Sequence, residues 1–134
     1  NEMLYGKSFP VNPDAPPMSL DRALVHRVGR DVTLVAFSLM VEVALQAAEI
    51  LSAEGIDVEL IDLRSIWPWD REQVLTSCAR TGKLLVVHEA VQAGGFGAEI
   101  AATAVATFVA SSPSSPAHLS VALPPREMAA TYRG

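Results

Sequence analysis

Three short apolar runs limit what this chain can fold into more than any other feature. They are "DVTLVAF" (Asp31–Phe37), "IDVELIDL" (Ile56–Leu63) and "LLVVH" (Leu84–His88), and each is followed by a stretch with helical apolar spacing. Runs of this length, rich in branched apolar residues, read as strands. Strands that are apolar on both faces need cover on both sides, which a mostly parallel sheet between two helix layers supplies. Strand and helix alternate three times, and each crossover is expected to be right-handed. The expected fold class is α/β, a three-layer, open, mostly parallel sheet with helices on both faces.

The helices carry their own punctuation. After the first run, Ser38 stands at an N-cap position. Val41, Ala44, Leu45, Ala48 and Leu51 then share one helical face, Glu42 lies near the positive end of the dipole, and Gly55 is the stop. After the second run, Pro68 closes a loop, and Asp70 with Gln73 forms a capping box. Val74, Leu75 and Cys78 give that helix an apolar face before Gly82 ends it. The third helix is expected from about Gly97 to Phe108, with Ile100, Ala104, Val105 and Phe108 facing inward. "RALVHRV", near Ala23, reads as a short strand with a turn at Gly29–Arg30.

The flanks are different. Pro10, Pro13, Pro16 and Pro17 exclude a continuous helix or central strand, so residues 1–22 read as a Pro-rich arm or interdomain segment. Residues 23–110 form the α/β domain. Residues 111–134 open with "SSPSSPAH", a Ser/Pro-rich segment with little apolar surface to bury. Within that tail "HLSVAL" fits a short edge strand, and "PPREMAATYRG" specifies no element. Asn1 in place of an initiator methionine reads as a processed product or a fragment of something longer.

Composition removes several function classes. Ten basic against fifteen acidic residues give a net charge of −5, and no Lys/Arg cluster occurs, which argues against a nucleic-acid partner. One cysteine, Cys78, rules out an intrachain disulfide framework and a four-cysteine metal site. Placed mid-helix on an apolar face, it reads as inert packing. There is no apolar run of about 18 residues to span a membrane, and no signal-peptide pattern at the start.

Two stretches carry the candidate residues. "KLLVVHEAVQAGGFGAEIAA" places His88 and Glu89 at a strand's carboxyl end, where α/β sheets put their sites. His88 is a candidate acid–base group, but no nucleophile stands in a recognisable triad with it. Gly94, Gly95, Phe96 and Gly97 lack both the dinucleotide fingerprint and the P-loop lysine. They fit a tight strand-to-helix joint better than an anion cradle, because Glu99 occupies the positive helix end. His26, His88 and His118 show no ligand spacing. "IDLRSIWPWD" sets Asp62 and Arg64 on one side of an extended segment, as a fixed charged pair. Trp67 and Trp69 fit a core and an interface equally.

Three blocks together resemble a known family. "NEMLYGKSF" resembles the "NE-x-LYG-x-x-F" segment of the pyruvate dehydrogenase E1 beta subunit family, which Tyr5 and Gly6 match. "DVTLVAFSLMVEVALQAAEILSAEGIDVELIDLRSIWPWD" and "TGKLLVVHEAVQAGGFGAEIAA" are similar to that family's transketolase C-terminal-type domain. The blocks stand in order over about residues 1–109. Branched-chain 2-oxo acid and acetoin dehydrogenase subunits share the domain. "NEMLYG" favours the pyruvate enzyme.

The resemblance implies an enzyme that uses thiamine diphosphate and Mg²⁺, decarboxylates a 2-oxo acid and passes the acyl group to a lipoyl domain. Its partners are an E1 alpha subunit, a second E1 beta subunit and the E2 dihydrolipoyl acyltransferase, in the bacterial cytoplasm or the mitochondrial matrix. The cofactor belongs to the alpha subunit and the beta subunit's N-terminal domain, so none is expected on this chain alone, and no catalytic residue is carried over to it. Asp62, Arg64, Pro68, Asp70, His88, Glu89, Gly94, Gly95, Phe96, Gly97 and Glu99 match family positions and take structural or interface roles. The family's "L-x-AP-x-x-R-V" strand and terminal helix find no match in "SSPSSPAHLSVALPPREMAATYRG", which implies that both are lost or altered. The competing readings are a stand-alone α/β interaction or scaffold domain working through Trp67, Trp69 and the 94–97 loop, and a small enzyme using His88.

Overall fold

The computed structural model describes residues 2–6, 8, 10–90, 94–111 and 120–122. The elements are α1 (Glu2–Tyr5), β1 (Leu24–Arg27), β2 (Val32–Ala36), α2 (Leu39–Ala53), β3 (Val58–Asp62), α3 (Arg71–Thr81), β4 (Lys83–Val87), α4 (Phe96–Ser111) and β5 (Ser120–Ala122). The five strands form one sheet in the order β1-β3-β2-β4-β5. β2 pairs in parallel with β3 and β4, and β4 in parallel with β5. β1 is the exception and runs antiparallel to β3.

Alternation along each strand sorts the core into two layers. Val35, Ile61, Leu84 and Val86 face α3 and α4, packing with Val74, Cys78, Ile100 and Ala104. Leu34, Ala36, Val58 and Leu60 face α2, packing with Val41, Ala44 and Ala48. Two buried faces explain why the strand runs show little polar alternation. Two positions break the rule on the α3 side, Thr33 and Glu59, and both are fully buried.

Most helix boundaries follow their sequence signals. α2 ends in a double bond, Gly55 N–H to the Ser52 carbonyl (3.1 Å) and Ile56 N–H to the Leu51 carbonyl (2.9 Å), with Gly55 at φ 83°. That is the Schellman arrangement. α3 starts with the Asp70 carboxylate accepting the Gln73 N–H at 3.0 Å. The return half of the expected capping box is not made, because the Gln73 side chain donates instead to Ser77 Oγ at 3.1 Å. Ser38 is a second correction. It precedes α2 but makes no side-chain cap bond, since φ 60° and ψ −139° turn the residue out of the capping conformation. A third is Val105, 42% exposed on α4, while Ile100 and Ala104 are buried and Phe108 packs at the core's edge.

The arm has one helical turn, α1, which stops at Tyr5 ahead of Pro10. The edge strand expected in the tail forms as β5 and extends the parallel sheet, so the final strand that the divergent tail was expected to have lost or altered is present. The "PPREMAATYRG" segment lies outside the described residues.

Candidate functional site at the carboxyl edge of the sheet

β2 is the central strand, and the chain leaves it toward β3 on one side and reaches β4 on the other. The crevice between the carboxyl ends of β2 and β4 is therefore the topological switch point. The residue that follows each strand points into the same place. The Phe37 and His88 rings stack with centroids 5.5 Å apart and planes within 14°.

His88 is held on every side. Its Nδ1 accepts the Ala90 N–H at 3.2 Å, which assigns the proton of the neutral ring to Nε2. Burial lowers its pKa below the usual 6.5. Its other edge lies against the first turn of α4. A Cβ on Gly97 would sit 2.3 Å from Nε2 and 3.3 Å from Val86 Cγ1, so only a glycine lets the helix approach this closely. Gly95 and Gly97 are buried and Gly94 is exposed at φ 83°, so the cluster works as a joint that seats α4 on the imidazole. Glu89 is exposed at the start of that joint.

Across β2, the end of β3 makes a second polar knot. The expected Asp62–Arg64 side-chain pair is not formed. Arg64 sits at φ 55°, which breaks the extended geometry that would have aligned the two. Asp62 Oδ1 instead accepts the Arg64 backbone N–H at 2.9 Å, and its Oδ2 lies 3.6 Å from His26 Nε2 on β1. The Arg64 guanidinium reaches back to donate to the Arg22 carbonyl at 3.1 Å. Asp70 ties the same segment from the other side, because its Oδ2 accepts the Ala23 N–H at 3.0 Å. The arm's exit is thereby clamped to the β3–α3 loop. Ser38 and Arg64, both non-glycine residues at positive φ, follow adjacent strands at this edge.

The tryptophans divide. Trp69 is 6% exposed in the core, edge-on to Phe96 at 6.1 Å and under the Arg71 guanidinium at 5.5 Å. Trp67, next to the Pro68 that closes the loop, is 78% exposed beside Ile66. Arg71 also pairs with Glu99 at 3.2 Å, joining α3 to α4. Tyr5 is exposed on α1, away from any described partner. Cys78 is buried, and desolvation pushes its thiol up to about 11, which suits packing and not nucleophilic attack.

One group of residues escaped the sequence reading. Beneath α3, buried Glu59 accepts from Ser77 Oγ and is covered by the Arg80 guanidinium, while Thr33 and Thr81 hydroxyls meet at 2.8 Å. The signal available was a glutamate inside an otherwise apolar strand. This network lies toward the amino ends of the strands, remote from the switch point.

Among the described residues, no three His, Cys, Asp or Glu side chains converge to hold a metal ion, and no helix is long and apolar enough to cross a membrane. His88 contacts Ala90, Phe37 and the first turn of α4 at Gly97.

Residues 21–129 match the family described as the transketolase C-terminal domain. Similar curated proteins include the mitochondrial pyruvate dehydrogenase E1 component subunit beta-2 of Oryza sativa subsp. japonica, 45% identical over 109 residues that cover 78% of this chain and 29% of the relative. The corresponding mitochondrial beta subunit of Pisum sativum is 46% identical over 109 residues, covering 78% and 30%. The pyruvate dehydrogenase E1 component subunit beta of Rickettsia bellii is 43% identical over 102 residues, covering 76% and 31%. The chain thus spans under a third of these relatives' length. A solved structure described as a split gene transketolase, inactive beta4 tetramer, superposes with a TM-score of 0.65 at 32% identity, covering 83% of this chain and 34% of that one.

Proposed function

Because the chain belongs to the transketolase C-terminal domain family, we propose that it is the C-terminal portion of the E1 beta subunit of a thiamine-diphosphate-dependent 2-oxo acid dehydrogenase, with pyruvate as the substrate of the complete enzyme. Its work is assembly. The arm (1–22) leads into the folded domain (23–110), and the tail (111–134) adds an edge strand. The observation that carries this reading is the run of 43–46% identity to pyruvate dehydrogenase beta subunits from plants and a bacterium.

The described residues do not fit thiamine diphosphate and Mg²⁺. No set of three metal-ligating side chains converges, and the first turn behind the glycines holds Glu99, paired with Arg71, where a diphosphate would have to sit. The cofactor is assigned to the rest of the enzyme. Partners are a second beta subunit, an E1 alpha subunit and E2. Self-assembly of the split-gene transketolase beta chain supports the first of these. Exposed Trp67, with Arg64 and the 94–97 joint in the loops at the same carboxyl edge, is assigned to subunit contact, since a large exposed aromatic is the usual anchor of an interface. The enzyme would work in the mitochondrial matrix of a eukaryote or the cytoplasm of a bacterium.

Two measurements test the reading. The purified chain is expected to show no pyruvate decarboxylation alone, and turnover without an alpha subunit would sink it. Immobilised on a column, it is expected to retain E1 alpha or E2 subunits, and retention is expected to fall about tenfold with Trp67→Ala. Stable capture of an unrelated partner in their place would favour a stand-alone scaffold.

A further inference from the structure

The peptide group between Arg22 and Ala23 is held on both of its polar atoms by one loop. Its carbonyl accepts from Arg64 Nη2 at 3.1 Å, and its N–H donates to Asp70 Oδ2 at 3.0 Å. In a trans peptide these two groups point in opposite directions. The β3–α3 loop (63–70) therefore straddles the chain, with one contact near each of its ends. Residues 10–22 are exposed, and Ala23 is the first half-buried residue after them. The arm's bonds before this point are local, Asp14 and Ala15 to Asn12 and Ser19 to Asp21. Arg22 also reaches Glu72 at 3.7 Å, but both side chains are largely exposed and the pair holds little.

The loop is fixed at its ends and open in the middle. Leu63 is buried and donates its N–H to the Ala36 carbonyl at 3.1 Å, and Trp69 and Asp70 are buried at the other end. Ile66 and Trp67 between them are exposed. Arg64 stands at the hinge. Its φ of 55° is unfavourable for a residue with a Cβ, and it is the middle of a three-residue turn closed by the Ser65 N–H on the Leu63 carbonyl. Its own N–H is held by Asp62 Oδ1 at 2.9 Å. These contacts, with the guanidinium's hold on Arg22, sustain the strained conformation.

We propose that this loop is a latch that closes on the Arg22–Ala23 peptide as a unit, so that the direction of the arm and the posture of the Trp67 segment change together. The peptide is a rigid plane. Releasing its carbonyl lets it swing and carries the N–H off Asp70. Releasing the N–H turns the carbonyl away from Arg64, which then loses a contact that offsets its positive φ. The latch extends the assembly reading, in which Trp67 meets a neighbouring subunit, because contact there would bear on the arm. The coupling is measured within the chain, so it stands or fails whether or not E1 alpha or E2 is captured.

The test is amide hydrogen exchange of the full chain, followed residue by residue by NMR. Arg64 does not bond the Ala23 N–H, so independent contacts would leave exchange at Ala23 unchanged in Arg64→Ala. A latch that opens as a unit is expected to exchange at least tenfold faster at Ala23 in that variant, while the amides of β3 keep their wild-type protection. Coupling between two sites is reciprocal, so Ala23→Pro, which removes the donated N–H, should speed exchange of the Arg64 amide by a similar factor. The heteronuclear NOE of Leu20 and Asp21 should fall in Arg64→Ala as the arm is freed. Unchanged exchange at Ala23 in Arg64→Ala overturns the proposal, whether or not Ala23→Pro folds. Equal acceleration at Ala23 and throughout β3 also overturns it, since the loop would then open only with the whole domain.

Discussion

At the scale of single residues, His88 connects the most structure. It follows β4, stacks on the residue that follows β2, and fills the space that Gly97 leaves in the first turn of α4. Protonation would cost it twice, because Nδ1 would have to give up the Ala90 N–H and a positive ring would face the positive end of α4. Burial acts in the same direction and holds its folded pKa below 6.5. The sign of the pH effect follows. Between the lowered folded value and 6.5 the unfolded chain binds more protons than the folded one, so stability rises with pH across that window. Above 6.5 this contribution is complete. It is lost as pH falls through the folded value and is flat below it. Urea unfolding at intervals from pH 8 to pH 4.5 should show a steeper acid loss for the wild type than for His88→Asn, whose other histidines are unchanged. Parallel pH profiles for the two proteins would refute the assignment.

At the scale of elements, helix and strand positions were legible because each is set by local periodicity and punctuation. The runs at Asp31, Ile56 and Leu84 became β2, β3 and β4, and Gly55 and Gly82 ended their helices as expected. Features that depend on a partner distant in sequence were not legible. Asp62 and Arg64 were spaced to pair, but the positive φ of Arg64 and the carbonyl of Arg22 decided otherwise. Trp67 and Trp69 look alike in "IWPW", and packing against residues distant in sequence, Phe96 of α4 among them, puts one inside. The Glu59 network is the same kind of case, joining β3 to residues of α3 about eighteen to twenty-one positions later. Its energetics can be isolated. Arg80 is 46% exposed and its Glu59 partner 1%, so removing the guanidinium leaves a buried carboxylate with one hydroxyl donor. Loss of a fully buried partner costs about 3–5 kcal/mol. Partial exposure of Arg80 lowers the expectation for Arg80→Ala to about 1–3 kcal/mol. Glu59→Gln combined with Arg80→Ala should recover part of that loss, because the charge left unpaired is gone. Additive losses in chemical denaturation would show that the ion pair is not the coupling between β3 and α3.

At the scale of the whole molecule, one sheet serves two cores. Adjacent residues on β3 belong to different layers, Leu60 to the α2 side and Ile61 to the α3–α4 side, and both are fully buried. β2 does the same with Leu34 and Val35. Neither layer can come apart without exposing the back of the strands that hold the other, so the two layers should unfold in one transition. Leu60→Ala and Ile61→Ala are each expected to cost about 2–5 kcal/mol, the range for deleting a large aliphatic side chain from a packed interior. The shape of the loss discriminates more sharply than its size. A cooperative molecule lowers the urea midpoint in both variants while the slope of free energy against urea stays at the wild-type value. If the α2 layer, with one helix over β2 and β3, were an independent unit, Leu60→Ala would split the transition or flatten its slope, and Ile61→Ala would not. Fluorescence of Trp69 reports the α3–α4 side and far-ultraviolet circular dichroism reports all helices, so coincident curves from both probes in Leu60→Ala are the expected outcome. Curves that separate would mean that the sheet does not transmit the loss from one layer to the other.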